Sequence, residues 1–543
     1  MRYVWIGTLV AVVAGCAQPA AVSTTPAPSR ELTSIERARH AVSRLTFGAR
    51  PGEVERVAAM GVDRWIAMQL DPSTIPDDAV TRLTGALETQ RKSIVELIAD
   101  HPLPQELQIR LQGRPSGSTP SAADTAMYRQ AIQSTGRLSN QVAVVKTMRA
   151  VASERELAEV MTDFWENHFS VFAGKTPTPF ALVEYDRDVI RPHVLGHFKD
   201  LLTAVARSTE MLFYLDNFQS AVDSTHANVQ EQRIEARRAA SGDPTVMSVA
   251  TLPHRRPRGV NENYARELME LHTLGVDGGY TQRDVINVAR ALTGWTIDAP
   301  QLGGGFVFRP ELHDASPKVV LGHTLAAGRG IEDGEEVLAI LARAPATAHY
   351  ISTKLARHFV ADDPPRALVD RCANVFQKTD GDIRETIRCI VTSPEFFSRA
   401  AYRAKVKTPF ELVVSGLRAL GAEPDTTPRA AQMVAQLGQP VFGRQTPDGW
   451  PDRGSEWMNA GALLRRINFG LTLANGQAPG ARLQSWPPAA RLRNLPAVEQ
   501  VQGVIDELLG GDVSAETRAA LAGGNGLAGI VGVALGAPEF QRR

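Results

Sequence analysis

Cysteine is scarce in this chain. Three occur in 543 residues, Cys16, Cys372 and Cys389, which excludes a disulfide-stapled scaffold, since such domains are short and cysteine-dense. Aromatic residues make up only 6%. No charge predominates: 59 basic and 59 acidic residues leave a formal net charge of zero. The chain therefore carries no overall electrostatic footprint for nucleic acid or for an anionic surface, and no nucleic-acid partner is expected. No apolar run approaches the roughly 20 residues needed to span a bilayer. The common catalytic signatures are missing too: there is no nucleophile elbow, Walker loop, dinucleotide fingerprint, zinc-protease helix motif or haem-attachment motif.

What is present starts at the N-terminus. Arg2 supplies a minimal positive region, Tyr3 to Val13 form a short apolar run, and Val13-Ala14-Gly15-Cys16 has the small-residue pattern read by signal peptidases. Residues 1–15 are expected to be a cleaved lipoprotein signal, with Cys16 the lipid attachment site and the first mature residue. In the bacterial lipobox that this segment resembles, aspartate after the cysteine retains the protein at the inner membrane. Ala17 stands there instead, so the expected location is the cell envelope, lipid-anchored at the outer membrane and facing the periplasm. Residues 16–33, rich in Pro, Ala, Ser and Thr, read as a flexible tether.

Folding is expected from Ser34. Apolar residues recur at three and four positions, as in Ala41 and Leu45, or Val54, Val57 and Ala58, and similar spacing runs through 346–360 and 381–391. The fold class is all-α, a large multi-helix array, with one minor β-hairpin near 303–322, where Phe306-Val307-Phe308 and Val319-Val320-Leu321 flank a turn holding His313, Asp314 and Pro317. Residues 34–475 are read as the main helical domain, with a polar loop at 112–125 and a polar insertion at 219–260. Residues 476–543 are read as a Pro-rich segment followed by terminal helices. Cys372 shares an apolar stripe with Leu368 and Phe376, which leaves both a buried thiol and a bond to Cys389 open.

Two helical segments concentrate polar side chains. On a wheel of 154–169, Leu157, Val160, Met161, Phe164 and Trp165 form one stripe with His168 at its centre, and Glu156, Glu159, Asp163 and Glu166 fall on an opposite face that reads as solvated. In 262–274, Tyr264, Ala265, Leu268, Leu271 and His272 share an arc, while Asn263, Glu267 and Glu270 cluster within about 60° on the other side, as the helical period dictates. Arg266 lies four residues before Glu270 and can neutralise it. Two readings follow. One is an exposed amphipathic helix; the other is a carboxylate pair plus an amide lining a cleft, able to hold a cation or do acid-base work. His193 and His197 have a zinc-compatible spacing without a third ligand. Thr281 and Asp284 read as a capping box. His168 and His272 both face inward, and the wheels place them near one another or near one polar cluster.

The strings MTDFWENHFSVFAGK (161–175), YDRDVIRPHVLGHFKDLL (185–202), NENYARELMELHTLGVDGGYTQRDVINVARALTGW (261–295), His313-Asp314 with Lys318, KVKTPFELV (405–413) and PDGWP (447–451) resemble the bacterial "domain of unknown function 1800" family of exported proteins. The resemblance marks Trp165, Asn167, His168, Asn263, Arg266, Glu267, Glu270, His272, Gly294, Trp295, His313 and Asp314 as candidate functional positions. Of these, Asn167, Asn263, Arg266 and Trp295 are the candidate ligand-binding residues. It implies, as a neighbour and possible partner, a sulfatase-like exported protein of the "domain of unknown function 1501" family. The function expected is that of an envelope accessory or binding lipoprotein with a polar cleft built from the 261–295 helices and the 313–314 turn. The alternative is a hydrolase or metal-dependent enzyme using Glu267, Glu270, His168 and His272. No cofactor and no particular metal site is assigned.

Overall fold

The structure, a computed structural model, describes residues 31–105, 107–108, 121–223, 259–299, 302–478 and 480–543, with six further residues between 233 and 240. Cys16, most of the tether and the basic run 254–258 lie outside the described residues.

The chain is all-α with a minor β component, as the periodicity requires. Helix α1 (Ser34–Leu45) starts where Thr33 and Glu36 close a capping box, and it buries Ala38, Ala41, Val42 and Leu45. Helices α2 (Gln141–Ala152) and α3 (Glu156–His168) follow as an adjacent pair. Helix α4 (Glu262–Glu270) is capped by Asn261, whose side chain accepts from Asn263 N and Tyr264 N, and α5 (Gln282–Ala291) starts at the Thr281–Asp284 capping box. Then come α6 (Glu332–Arg343), α7 (Pro345–Phe359), α8 (Arg366–Lys378) and α9 (Ile383–Val391). Helix α10 (Pro409–Ala419) starts with Pro at its first position behind a Thr408–Glu411 capping box. Helices α11 (Ala460–Ala474) and α12 (Gly526–Gly536) pack along each other.

One continuous apolar core runs from Ala38 to Phe540, with a satellite cluster under Ile94, Leu97 and Leu103. Residues 32–543 form one compact unit. The Pro-rich stretch after 475 is tied into it by Trp486, which is 1% exposed.

Several local expectations need correcting. The β segments at 306–308 and 318–320 are present but do not pair with each other. Strand β1 (Trp295–Ile297) pairs antiparallel with β2 (Phe306–Phe308), and β3 (Lys318–Val320) with β4 (His323–Leu325). Between β2 and β3 the chain enters a 3-10 turn at Pro310–Leu312 and then buries His313 and Asp314, which separates the two ribbons. The 112–125 loop ends early, because Ser121 and Asp124 cap a helix that begins at Ala122. The 219–260 insertion starts from a buried edge: Ala221 and Val222 are buried, and Ala221 N donates to Gly259 O at 3.1 Å. Cys372 and Cys389 are joined by a disulfide linking α8 to α9.

The largest correction concerns α3. Its acidic face is not solvated: Glu156, Glu159 and Glu166 are all buried. Glu156 pairs with Arg418, which also reaches Glu53 at 3.1 Å. Glu159 lies between Arg149 at 2.9 Å and Arg191 at 2.7 Å. A helical wheel sees one helix, whereas the charges that make this face buriable arrive from other elements.

Candidate functional site

The carboxyl-terminal half of α3, one face of α7, the start of α10 and the loop 439–456 enclose a cavity of about 400 Å³, within the size range of small-molecule sites.

The α3 wall carries Asn167 and His168. Asn167 acts like a piece of backbone: its Nδ2 donates to Trp450 O at 2.8 Å and its Oδ1 accepts from Trp450 N at 2.6 Å. The approach requires glycine beside the tryptophan. Gly449 has φ +74°, and a Cβ there would lie 2.2 Å from Asn167 O. The same loop holds Phe442 at φ 51°, and Phe442 O accepts from Ala173 N at 2.8 Å. A bulky residue in left-handed backbone is costly unless its surroundings fix it.

His168 is buried, with Nε2 3.1 Å from the backbone oxygen of His272. A carbonyl can only accept, so Nε2 bears the proton and Nδ1 is a bare lone pair. Nδ1 has no partner among the described residues. The two imidazole centroids lie 6.3 Å apart, so the structure does bring His168 and His272 together. Burial, followed by the charge of Lys354, holds His168 well below the usual histidine range and His272 down to about 3.

Deeper in the α3 wall, Lys146 Nζ lies 2.7 Å from Asp163 and 2.5 Å from Glu166. Burial opposes its charge, but the two carboxylates outweigh this and raise the lysine. Burial pushes Glu166 well above the carboxylate range, and its side chain hydrogen-bonds to Asp186. On the α10 side, Lys405 binds Asp362 at 2.6 Å and Asp452 at 3.1 Å, and Gly454 N donates to Asp362 at 2.8 Å.

The α7 wall differs. Lys354 and Arg357 both line the cavity. Neither forms an ion pair among the described residues, although the other cavity cations do: Lys146 as above, Arg444 with Asp448 at 2.8 Å and Arg453 with Asp363 at 2.7 Å. Lys354 Nζ lies 5.6 Å from the Tyr350 ring centroid. It is half-buried and lines the cavity. Burial, reinforced by Arg357 and opposed by Asp452 and Asp448, pulls it down to about 8. Arg357 Nε donates to Asp362 O at 3.0 Å.

Other candidate residues lie elsewhere. Asn263 is exposed, and Arg266 sits between Glu262 at 3.9 Å and Glu270 at 3.6 Å. Among the described residues no hydrogen bond or ion pair joins the side chain of Glu267 or Glu270 to either imidazole. Burial and the charge of Glu270 raise Glu267. Trp165 is core, its Nε1 donating to Val194 O at 3.1 Å.

Gly294, Trp295, His313 and Asp314 belong to the ribbon region. Gly294 has φ +78°, and a Cβ would lie 2.6 Å from Arg309 O. Trp295 is fully buried. His313 Nδ1 lies 2.7 Å from Thr293 O, and Asp314 pairs with Arg290 at 2.6 Å. Lys318 Nζ donates to Asp314 O at 2.5 Å and to Asp333 at 2.7 Å. These form a closed structural network rather than a dyad in a cleft. His197 Nδ1 lies 3.2 Å from Asp380 O, a contact that does not involve His193. Among the described residues, no three His, Cys, Asp or Glu side chains stand close enough to share one metal ion.

Sequence reasoning therefore found Asn167 and His168 but missed Lys354, Arg357, Asp452 and the shape of loop 439–456. The strings KVKTPFELV and PDGWP flank the cavity and were the available signal. Lys354 and Arg357 had none, because on a wheel of α7 they look like an ordinary polar face.

Fold and site define a class: an all-α protein with two small ribbons and a polar cavity beside a buried histidine pair. Residues 40–542 match the family described as protein of unknown function (DUF1800), and the chain belongs to that family. The match covers every wall of the cavity. No curated protein and no solved structure matches the chain.

Proposed function

We propose that this is an exported, lipid-anchored envelope protein that binds a small ligand in the cavity between α3, α7 and loop 439–456. The observation carrying the binding reading is the cavity itself, whose walls combine aromatic side chains with two cations, Lys354 and Arg357, that form no ion pair among the described residues. Cations taken out of bulk water normally meet a counter-charge, and a ligand would supply one. The reading moves the cleft expected from the 261–295 helices to a cavity that this segment meets through Leu271.

Export is supported by the Val-Ala-Gly-Cys16 segment and by the Cys372–Cys389 disulfide, since such bonds persist in oxidising compartments. Among the described residues no helix is long and apolar enough to cross a membrane, and the attachment proposed is the acyl chain.

Two measurements test this. Cys16→Ser should move the protein from the membrane fraction to the soluble one and remove the lipid mass; unchanged fractionation and mass would reject the anchor. Glu456 lies exposed at the cavity edge, so Glu456→Trp should plug it. In a thermal-shift screen of monosaccharides, sugar acids, sugar phosphates and dipeptides, at least one class should raise the Tm of wild type, as selective binding to the folded state requires, and leave Glu456→Trp unmoved. An equal response from both proteins would place binding elsewhere.

A further inference from the structure

Burying a cation without a counter-charge is costly, and natural interiors pair such groups. The cavity breaks this rule in one place. Three of its lysine and arginine side chains have carboxylate partners, while Lys354 and Arg357, three residues apart on α7, have none among the described residues. Residues at this spacing lie on one helix face, so the two positive charges face the same space, and each is free to bind there. Arg357 uses its Nε on a backbone carbonyl, leaving the two terminal nitrogens of its guanidinium for a fork-like contact.

A second feature is the size of the cavity, about 400 Å³, which lies in the range of sites for small organic ligands. Two positive charges facing a space of that size suit an organic molecule that carries an oxyanion.

We propose that the cavity binds an organic oxyanion, a sugar acid or sugar phosphate, with its anionic oxygens between Lys354 and Arg357. This rests on the cavity being a binding site.

The groups around Lys354 make the idea testable by pH. Asp448 and Asp452 are held below their ordinary ranges despite burial, Asp452 by His358 and Lys405 and Asp448 by Arg444 and Thr446. His168 and His272 stay neutral above pH 7, and burial lifts Tyr350. Between pH 7 and 9 Lys354, at about 8, loses its charge, while Glu166 on the α3 wall, raised by burial, is tied to Lys146.

The experiment is calorimetric titration of the full chain with glucuronate, glucose 6-phosphate, inorganic phosphate and, as neutral control, glucose. At least one sugar anion should bind more tightly than glucose and phosphate, and binding should weaken roughly tenfold from pH 7 to pH 9, as loss of one charge on a group titrating near 8 demands. Lys354→Met and Arg357→Met should each weaken it at least tenfold, while Lys354→Arg should bind and keep its affinity at pH 9. Circular dichroism confirms that the variants fold.

Sugar-anion binding that survives both methionine variants overturns the proposal. So does binding of glucose alone, blocked by Glu456→Trp, although that outcome leaves the binding reading intact. If no probe binds, the oxyanion proposal falls; if the wider thermal-shift screen is also silent, the binding reading falls with it.

Discussion

Two regions of this protein gather charge out of water and treat it differently. Around the ribbons, Asp314, Lys318 and Asp333 form a closed set with Arg290, Arg329 and backbone oxygens. Burial alone would raise Asp333, yet hydrogen bonds from His313 and Lys318 hold it below the usual carboxylate range. In the cavity, Lys354 and Arg357 form no ion pair among the described residues, although Asp448 and Asp452 lie within electrostatic reach of Lys354. Density of polar residues, which first drew attention to 261–295 and 313–314, marks both regions equally. What distinguishes a binding site from a structural network is charge left unbalanced against a space large enough to hold something.

That contrast can be broken by mutation, with the largest effect expected on the balanced side. Asp333→Ala strands Lys318, which is 1% exposed, and should cost about 3–5 kcal/mol, the usual penalty for orphaning one partner of a buried pair. Denaturant unfolding would show it as a lower midpoint, with ligand binding intact in whatever remains folded. A midpoint within experimental error of wild type would mean that the network is not what holds the ribbons.

A smaller effect of opposite sign is expected at the cavity. Lys354 binds its proton at 10.5 when unfolded and at about 8 when folded. Between those values the unfolded chain holds more protons, so wild-type stability rises with pH across that window. Lys354→Met should therefore raise the Tm below pH 8, and the gain should fade by pH 10.5. A loss of stability at pH 7 would show that Lys354 has a structural partner after all.

The smallest change is expected on the outer face of α4. The double variant Glu267→Gln/Glu270→Gln should shift stability by about 0.5 kcal/mol or less, as surface substitutions do, and leave glucuronate affinity unchanged. A tenfold loss of affinity there would return the site to the helix that first suggested it.

Much of the fold could be read from local pattern. Helical spacing located α3, α7 and α9, and the Thr281–Asp284 capping box marked the start of α5. The inward direction of His168 and His272 followed from their wheels. Three things were not local. The strands at 306–308 and 318–320 were visible, but their partners at 295–297 and 323–325 depend on where Pro310 turns the chain. The acidic side of α3 could not be recognised as buried, because Arg418 and Arg191 arrive from elements remote in sequence. The disulfide needed the angle between α8 and α9. Lys354 was invisible for the same reason in reverse: a lysine on a polar face is unremarkable until neighbouring elements wall it in and leave it without an ion pair.

The bond pair between Asn167 and Trp450 has a consequence in time rather than in affinity. Two neutral hydrogen bonds contribute about 1 kcal/mol each after exchange with water, so unfastening them alone would leave the loop open in roughly one molecule in thirty. Each opening of the loop would then add a route for ligand beside the mouth at Glu456. Asn167→Ala removes both bonds without adding charge to the cavity, which should speed exchange in both directions while barely altering the equilibrium. One side-chain amide would thus set how long the protein remembers what it has bound.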